Sequence, residues 1–216
     1  MQVRSPRGGL HMVVSMRAAA WRPDVGQPLG GFSVTVRVHI FGASGSGTTT
    51  LGRALAAQVH ADFLDTDDFY WQPTDPPYQK ARPREARSRL LQEALAQHGS
   101  WVLSGSLCGW GDPLIPLFEL VVFLWVPTEV RTARLRAREV REFGAEALAP
   151  GGSLHRNHEE FIAWAEDYDT GGLDMRSLSR HQAWLARISC PTIRFDGEAT
   201  VGSQVSRILE ELAAGS

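Results

Sequence analysis

Val34-Thr35-Val36-Arg37-Val38-His39-Ile40-Phe41-Gly42-Ala43-Ser44-Gly45-Ser46-Gly47-Thr48-Thr49-Thr50-Leu51 runs from an apolar stretch through a glycine-rich turn into a periodic one. Residues 34–41 are rich in β-branched and aromatic side chains, the composition of a buried strand. Beyond the turn, Leu51, Leu55 and Val59 recur on one face of a helix expected over 49–60. In a strand–loop–helix unit of this kind, glycines let backbone N–H groups converge on phosphate oxygens. The helix N-terminus adds partial positive charge. Gly42 and Gly47 meet the G-x-x-x-x-G spacing, and the candidate phosphate ligands are Gly42, Gly45, Ser46, Gly47, Thr48, Thr49 and Thr50. Thr49 fills the hydroxyl position expected to hold Mg²⁺. Thr48 stands where a lysine would reach the β- and γ-phosphates, and losing that charge-assisted contact costs on the order of a few kcal/mol unless another cation replaces it.

Two other readings of the loop stay open. One is a glycine turn that caps a helix and binds nothing. The other is an NAD(P)-binding dinucleotide loop of the Rossmann type, built on Gly42 and Gly45 with Asp65 at the ribose. It lacks the third glycine of G-x-G-x-x-G in either register.

Outward from this unit the pattern alternates. Strands are expected over 34–41, 61–65, 101–104, 120–126 and 192–195. Helices are expected over 49–60, 83–97, 127–143 and 200–213, with 153–187 mostly helical and broken at Gly171-Gly172. Residues 67–82 read as an aromatic, proline-rich loop. The run over 120–126 is the most apolar of all, as suits a strand buried on both faces. The fold class is therefore α/β, a parallel sheet flanked by helices. Residues 34–216 form one domain, with 144–187 as a helical lid-like insert whose glycine pairs, Gly151-Gly152 and Gly171-Gly172, would act as hinges.

Composition narrows the function classes. With 216 residues, 43% hydrophobic and 21% charged, the chain can bury one ordinary core. Of its 22 basic residues only Lys80 is a lysine. A net charge of −2 gives no basic field for nucleic acid. No apolar run approaches the roughly 18 residues of a membrane helix. Cys108 and Cys190 fit no zinc spacing and read as buried thiols of a reducing cytoplasm. His155 and His158 complete no metal set. Residues 1–33 carry Arg4, Arg7, Arg17 and Arg22 against one acid, Asp24. They are expected to be a disordered or non-native leader, with a transit peptide or a later start near Val34 or Val36 as alternatives.

With these residues in view, the chain resembles the P-loop nucleoside/nucleotide kinase superfamily, which includes adenylate, cytidylate, shikimate and gluconate kinases. Its G-S-G-T-T-T is similar to the loop of some archaeal cytidylate kinases. The resemblance implies ATP and Mg²⁺ as cofactors and a small-molecule phosphate acceptor, a nucleotide, nucleoside or hydroxyl acid. Asp65-Thr66-Asp67, just past the second strand, resembles the D-x-D of shikimate kinase-like enzymes. There the first carboxylate helps to hold Mg²⁺ and the second orients the acceptor hydroxyl. Asp68, Trp71 and Tyr78 would line the acceptor pocket. Arg84 or Arg87 would fix an acidic group on the acceptor. Ser104–Asp112 occupies the place of the glycine-rich acceptor loop and lacks a plain strand-end aspartate, for which Asp112 is a poorly placed substitute.

Arg131, Arg134, Arg138 and Arg141 form one helical stripe, and Val130, Ala133, Ala137 and Val140 form an apolar stripe expected to pack inward. Arg134 and Arg138 match an R-x-x-x-R pair of related kinases and would replace the charge missing at Thr48. Phe195-Asp196-Gly197 would border the adenine. The rival to a kinase is a non-catalytic or regulatory nucleotide-binding protein, which Thr48 would suit.

Overall fold

The computed structural model describes residues 35–74, 80–197 and 199–215. The leader expectation for 1–33 and the acceptor role of Tyr78 lie outside these residues. β1 (Arg37–Gly42) leads into α1 (Thr48–Val59), and β2 (Asp62–Asp65) into the short α2 (Thr66–Tyr70) and then α3 (Arg84–Ala96). β3 (Trp101–Ser104) is followed by a 3₁₀ helix at Asp112–Leu117. After β4 (Leu120–Trp125) come α4 (Thr128–Phe143), α5 (Ala145–Leu148), α6 (His155–Glu166) and α7 (Leu178–Leu185). β5 (Thr192–Asp196) and α8 (Val201–Ala214) come last. Two short elements depart from the sequence expectation. The loop over 67–82 begins with α2, and α5 lies ahead of the helical stretch expected from 153. Neither is long enough to show helical periodicity. What starts α2 is a cap: the Asp65 side chain accepts from the Asp67 N–H at 3.1 Å.

All strand pairs are parallel, in the order β2-β3-β1-β4-β5. β1 lies in the middle, so both of its faces are buried and its side chains divide by period two. Val38 and Ile40 join Val102, Val122 and Leu124 on the face covered by α1 and α8. Phe41 joins Leu103, Val121 and Phe123 on the opposite face, under Leu91, Leu114 and Trp184. The edge strand β5 instead alternates, with Ile193 buried between exposed Thr192 and Arg194. His39 also lies on the second face, at 0% exposure, stacked between Phe41 and Phe118. Burial lowers its pKa to about 3, so it packs as a neutral ring.

α4 corrects the expected packing. Its buried residues are Arg131, Thr132, Leu135 and Glu139, while Val130 and Val140 are 41% and 44% exposed. The reason is polar satisfaction. Arg131 donates to the Val126 and Ala165 carbonyls, to Thr128 Oγ1 and to Asp169 Oδ2, and its guanidinium lies over Tyr168. Glu139 bonds His158 of α6, and Leu135 packs on Phe161 and Ile162. A buried charge with this many partners outweighs two valines and two alanines.

The glycine pairs expected as hinges have close neighbours at three of their four positions. Ser177 Oγ and Ser179 Oγ donate to the Gly172 and Gly171 carbonyls, at 2.7 and 2.8 Å. A Cβ on Gly152 would come within 2.4 Å of the Ala147 carbonyl. α7 belongs to the sheet's core through Trp184.

Arg131→Ala is expected to lower the unfolding free energy by about 3–5 kcal/mol, because two carbonyls lose their donor and Asp169 loses its cation. Arg134→Ala, one turn along on the exposed side, is expected to change it by less than about 0.5 kcal/mol. Urea denaturation of the two variants measures both.

Candidate phosphate and acceptor site

The loop between β1 and α1 has the backbone its glycines suggest. Gly45 and Gly47 take φ of 81° and 97°, in the left-handed region. Gly45 is required twice, since a Cβ there would lie 2.7 Å from the Arg131 carbonyl of α4. Gly42 is similarly closed in by the Leu124 carbonyl at 2.4 Å and Ser46 Oγ at 2.6 Å. Gly47 is different: nothing lies within 4 Å of its Cβ position. As the N-cap of α1 it has no side chain to accept from the first turn, and Ser46 Oγ is buried without a hydrogen-bond partner. A helix N-terminus with a glycine cap and an open approach suits a phosphate chain. Thr48 is the first residue of α1, and Thr50 is exposed.

Thr49 Oγ1 donates to Asp65 Oδ2 at 3.1 Å. The same oxygen accepts from Ser104 Oγ at 3.0 Å, and Oδ1 accepts the Asp67 N–H. The topology explains this convergence. Asp65 ends β2 and is paired in register with Ser104, which ends β3 and is paired with Ile40 of β1. All three strands deliver their carboxyl ends to one edge, where ligands bind in open α/β sheets. The pair Thr49–Asp65 fits Mg²⁺, which prefers few protein oxygens and keeps water and phosphate ligands. Among the described residues no group of three or more His, Cys, Asp or Glu forms a metal cage. The dinucleotide alternative loses its anchor here, because the Asp65 carboxylate is turned onto Thr49 and Ser104. Sequence places Ser104 only at the head of the expected acceptor loop; the register of β2 on β3 sets it against Asp65.

Asp67 sits beside this hub. Burial first, then the Asp65 charge, raise its pKa to about 7, with Arg176 and Arg138 opposing. Asp68 is more exposed and is raised by burial and by Asp65, opposed by Arg53. The predicted arginines separate. Arg138 is half-buried and within the field of Asp67, whereas the side chain of Arg134 is exposed. Arg84 opens α3 with its side chain exposed. Arg87 is stacked 3.9 Å over Tyr70 and donates to the Arg82 carbonyl. Trp71 lies edge-on to Tyr70 and bridges to Ala81. Asp112 is engaged elsewhere: it accepts from Trp184 Nε1 and Arg187. The acceptor loop is closed in by its neighbours. A Cβ on Gly105 would strike Thr66 Oγ1 at 1.9 Å, and one on Gly109 would strike Arg180 at 2.2 Å. Arg176 and Arg180, from the segment thought to be lid, thus flank the site. Sequence places both in the expected cover over the acceptor; the fold brings them, more than 100 residues along the chain, to Asp67 and the loop after β3.

Comparison with known proteins agrees with this geometry. The family described as "AAA domain" matches residues 38–148, from β1 through α5. A Bacillus subtilis protein, the uncharacterized YqaC, is 42% identical over 177 residues, spanning 82% of this chain and 97% of that protein. A shikimate kinase of Moorella thermoacetica is 28% identical over 177 residues, spanning 70% of this chain and 98% of that enzyme. The structure of a shikimate kinase from Acinetobacter baumannii in complex with shikimate superposes with a TM-score of 0.50 at 18% identity. It covers 84% of this chain and 96% of that one. The chain belongs to the AAA domain family and, with its parallel sheet and phosphate loop, to the P-loop nucleoside/nucleotide kinase superfamily.

Proposed function

We propose that the chain is a small-molecule kinase that transfers the γ-phosphoryl group of ATP to a hydroxyl of its acceptor. The observation that carries this reading is Asp67, whose N–H bonds the same Asp65 carboxylate that takes the phosphate-loop hydroxyl of Thr49, and whose pKa is raised to about 7. A carboxylate tuned to that range takes a proton from an acceptor hydroxyl more readily than an ordinary aspartate does. The uncapped N-terminus of α1 and the backbone at Gly45–Thr49 would cradle the phosphates. Thr49 and Asp65 would hold Mg²⁺, which when bound neutralises charge on the phosphate oxygens. Arg138 is the favoured replacement for the charge missing at Thr48, with Arg134 its weaker rival because it faces solvent. Arginines on the acceptor side favour an anionic acceptor, a hydroxy acid or a nucleoside monophosphate. The kinship with shikimate kinase favours the hydroxy acid. Thr48 itself favours a second reading, a nucleotide-binding protein without turnover.

An acceptor panel of hydroxy acids, nucleosides and nucleoside monophosphates with radiolabelled ATP and Mg²⁺ separates the two. Label is expected on one anionic class; ATP binding with no labelled acceptor leaves the second reading standing. Asp67→Asn is expected to lower kcat by about 100-fold or more. In the parent chain kcat/KM is expected to fall as pH drops through about 7, because the acting form is the carboxylate.

The stability effect has the opposite sense. A folded pKa raised above the unfolded value makes this group least unfavourable below pH 4 and fully unfavourable above 7. Asp67→Asn should therefore raise the thermal midpoint at pH 8 while removing turnover. Arg138→Ala is expected to reduce kcat about ten-fold or more, with Arg134→Ala near the parent value; equal losses would reject the assignment.

A further inference from the structure

A chain of buried polar side chains crosses the second sheet face, away from the phosphates. Tyr168, just past α6, bonds its hydroxyl to His181 Nδ1 of α7 at 2.7 Å. His181 Nε2 lies 3.0 Å from Ser106 Oγ in the loop after β3. His181 is 0% exposed and Tyr168 and Ser106 are nearly so. The imidazole is edge-on to Phe41 and Phe123, so it sits in an apolar wall with two polar partners. Three clean hydrogen-bonding groups in such a place act as a clamp, because each costs free energy if its partner moves away.

Burial and the neighbouring Arg176, His39 and Arg180 keep His181 neutral, so one ring nitrogen donates to one hydroxyl and the other accepts from the other. Burial also raises the pKa of Cys108, two residues beyond Ser106, to about 11. A hydrolytic role is excluded by the same geometry: the third member is a phenol rather than a carboxylate, and Ser106 is shut away from solvent. Beyond Ser106 the load passes to the site. Its neighbour Gly105 donates to the Ile40 carbonyl and abuts Thr66, which precedes Asp67. The Ser106 carbonyl accepts from Trp110 Nε1. Arg131 stacks on Tyr168 at the far end.

We propose that Tyr168, His181 and Ser106 form a positioning clamp that fixes the acceptor loop 105–111 against α2, so that Arg176, Arg180 and Asp67 face a common acceptor. The role in acceptor binding rests on the kinase reading, but the clamp is tested without turnover. In a Cys190→Ser background, Cys108 sits in the clamped loop and reports its opening through alkylation by iodoacetamide, followed by intact mass. His181→Leu and Tyr168→Phe are expected to speed alkylation about three- to ten-fold, the effect of one lost hydrogen bond on local opening. His181→Gln keeps one donor and one acceptor and is expected to return the rate toward that of the background chain. ATP affinity, measured by calorimetry, is expected to stay unchanged in all three.

The proposal is overturned if Leu and Phe leave the rate alone, if Gln is as fast as Leu, or if faster alkylation comes with lost ATP affinity. Should His181→Leu not fold, Tyr168→Phe, which removes a single hydroxyl, decides. Absence of ATP binding in the Cys190→Ser parent would overturn the kinase reading instead, and the alkylation rates would still test the clamp.

Discussion

Much of the site hangs on one carboxylate. Asp65 takes hydrogen bonds from Thr49 Oγ1, Ser104 Oγ and the Asp67 N–H, joining α1, β3 and α2 at the carboxyl edge of the sheet. A buried anion is costly unless it is satisfied, and these three donors satisfy it. Having been held there, its charge acts on its neighbour. It is the second-largest cause, after burial, of the raised proton affinity of Asp67. The group that assembles the acceptor edge therefore also tunes it.

The cations are arranged around that edge by a similar economy. Arg131 points into the protein and is consumed by two carbonyls, Thr128 and Asp169. In doing so it rotates α4, exposes Val130 and Val140, and brings its own carbonyl close to Gly45. The rotation leaves Arg134 outside and Arg138 toward Asp67. On the kinase reading, the positive charge that a lysine at 48 would bring from the phosphate side would come from α4 and from the segment before α7.

Legibility in the sequence followed the range of the interaction. The phosphate loop was readable because strand, turn and helix are consecutive, and each glycine there has a local backbone duty. Trp101–Ser104 was readable with its boundaries, as a short apolar run between turn residues. α2 was missed since its five residues hold barely more than one turn, and its start depends on a side-chain cap. α4 was found in extent but assigned the wrong inner face. Counting apolar residues gives a buried arginine no weight, whereas its partners at Val126, Ala165 and Asp169 give it a great deal.

What residue order alone determined is the class of architecture, the loop that meets phosphate, the aspartates at the second strand's end, and the absence of a lysine at 48. Those properties follow from spacing within about twenty residues, where backbone conformation couples neighbours directly. Tertiary structure decided that Arg138 and Arg176 act on Asp67 while Arg134 is exposed, that Ser104 completes the Asp65 hub, and that Ser177 and Ser179 bond the Gly171-Gly172 carbonyls. It also brought His181 under the acceptor loop, 75 residues from Ser106. These are outcomes of strand order and helix rotation, set by the summed burial of distant side chains, and no local pattern carries that sum.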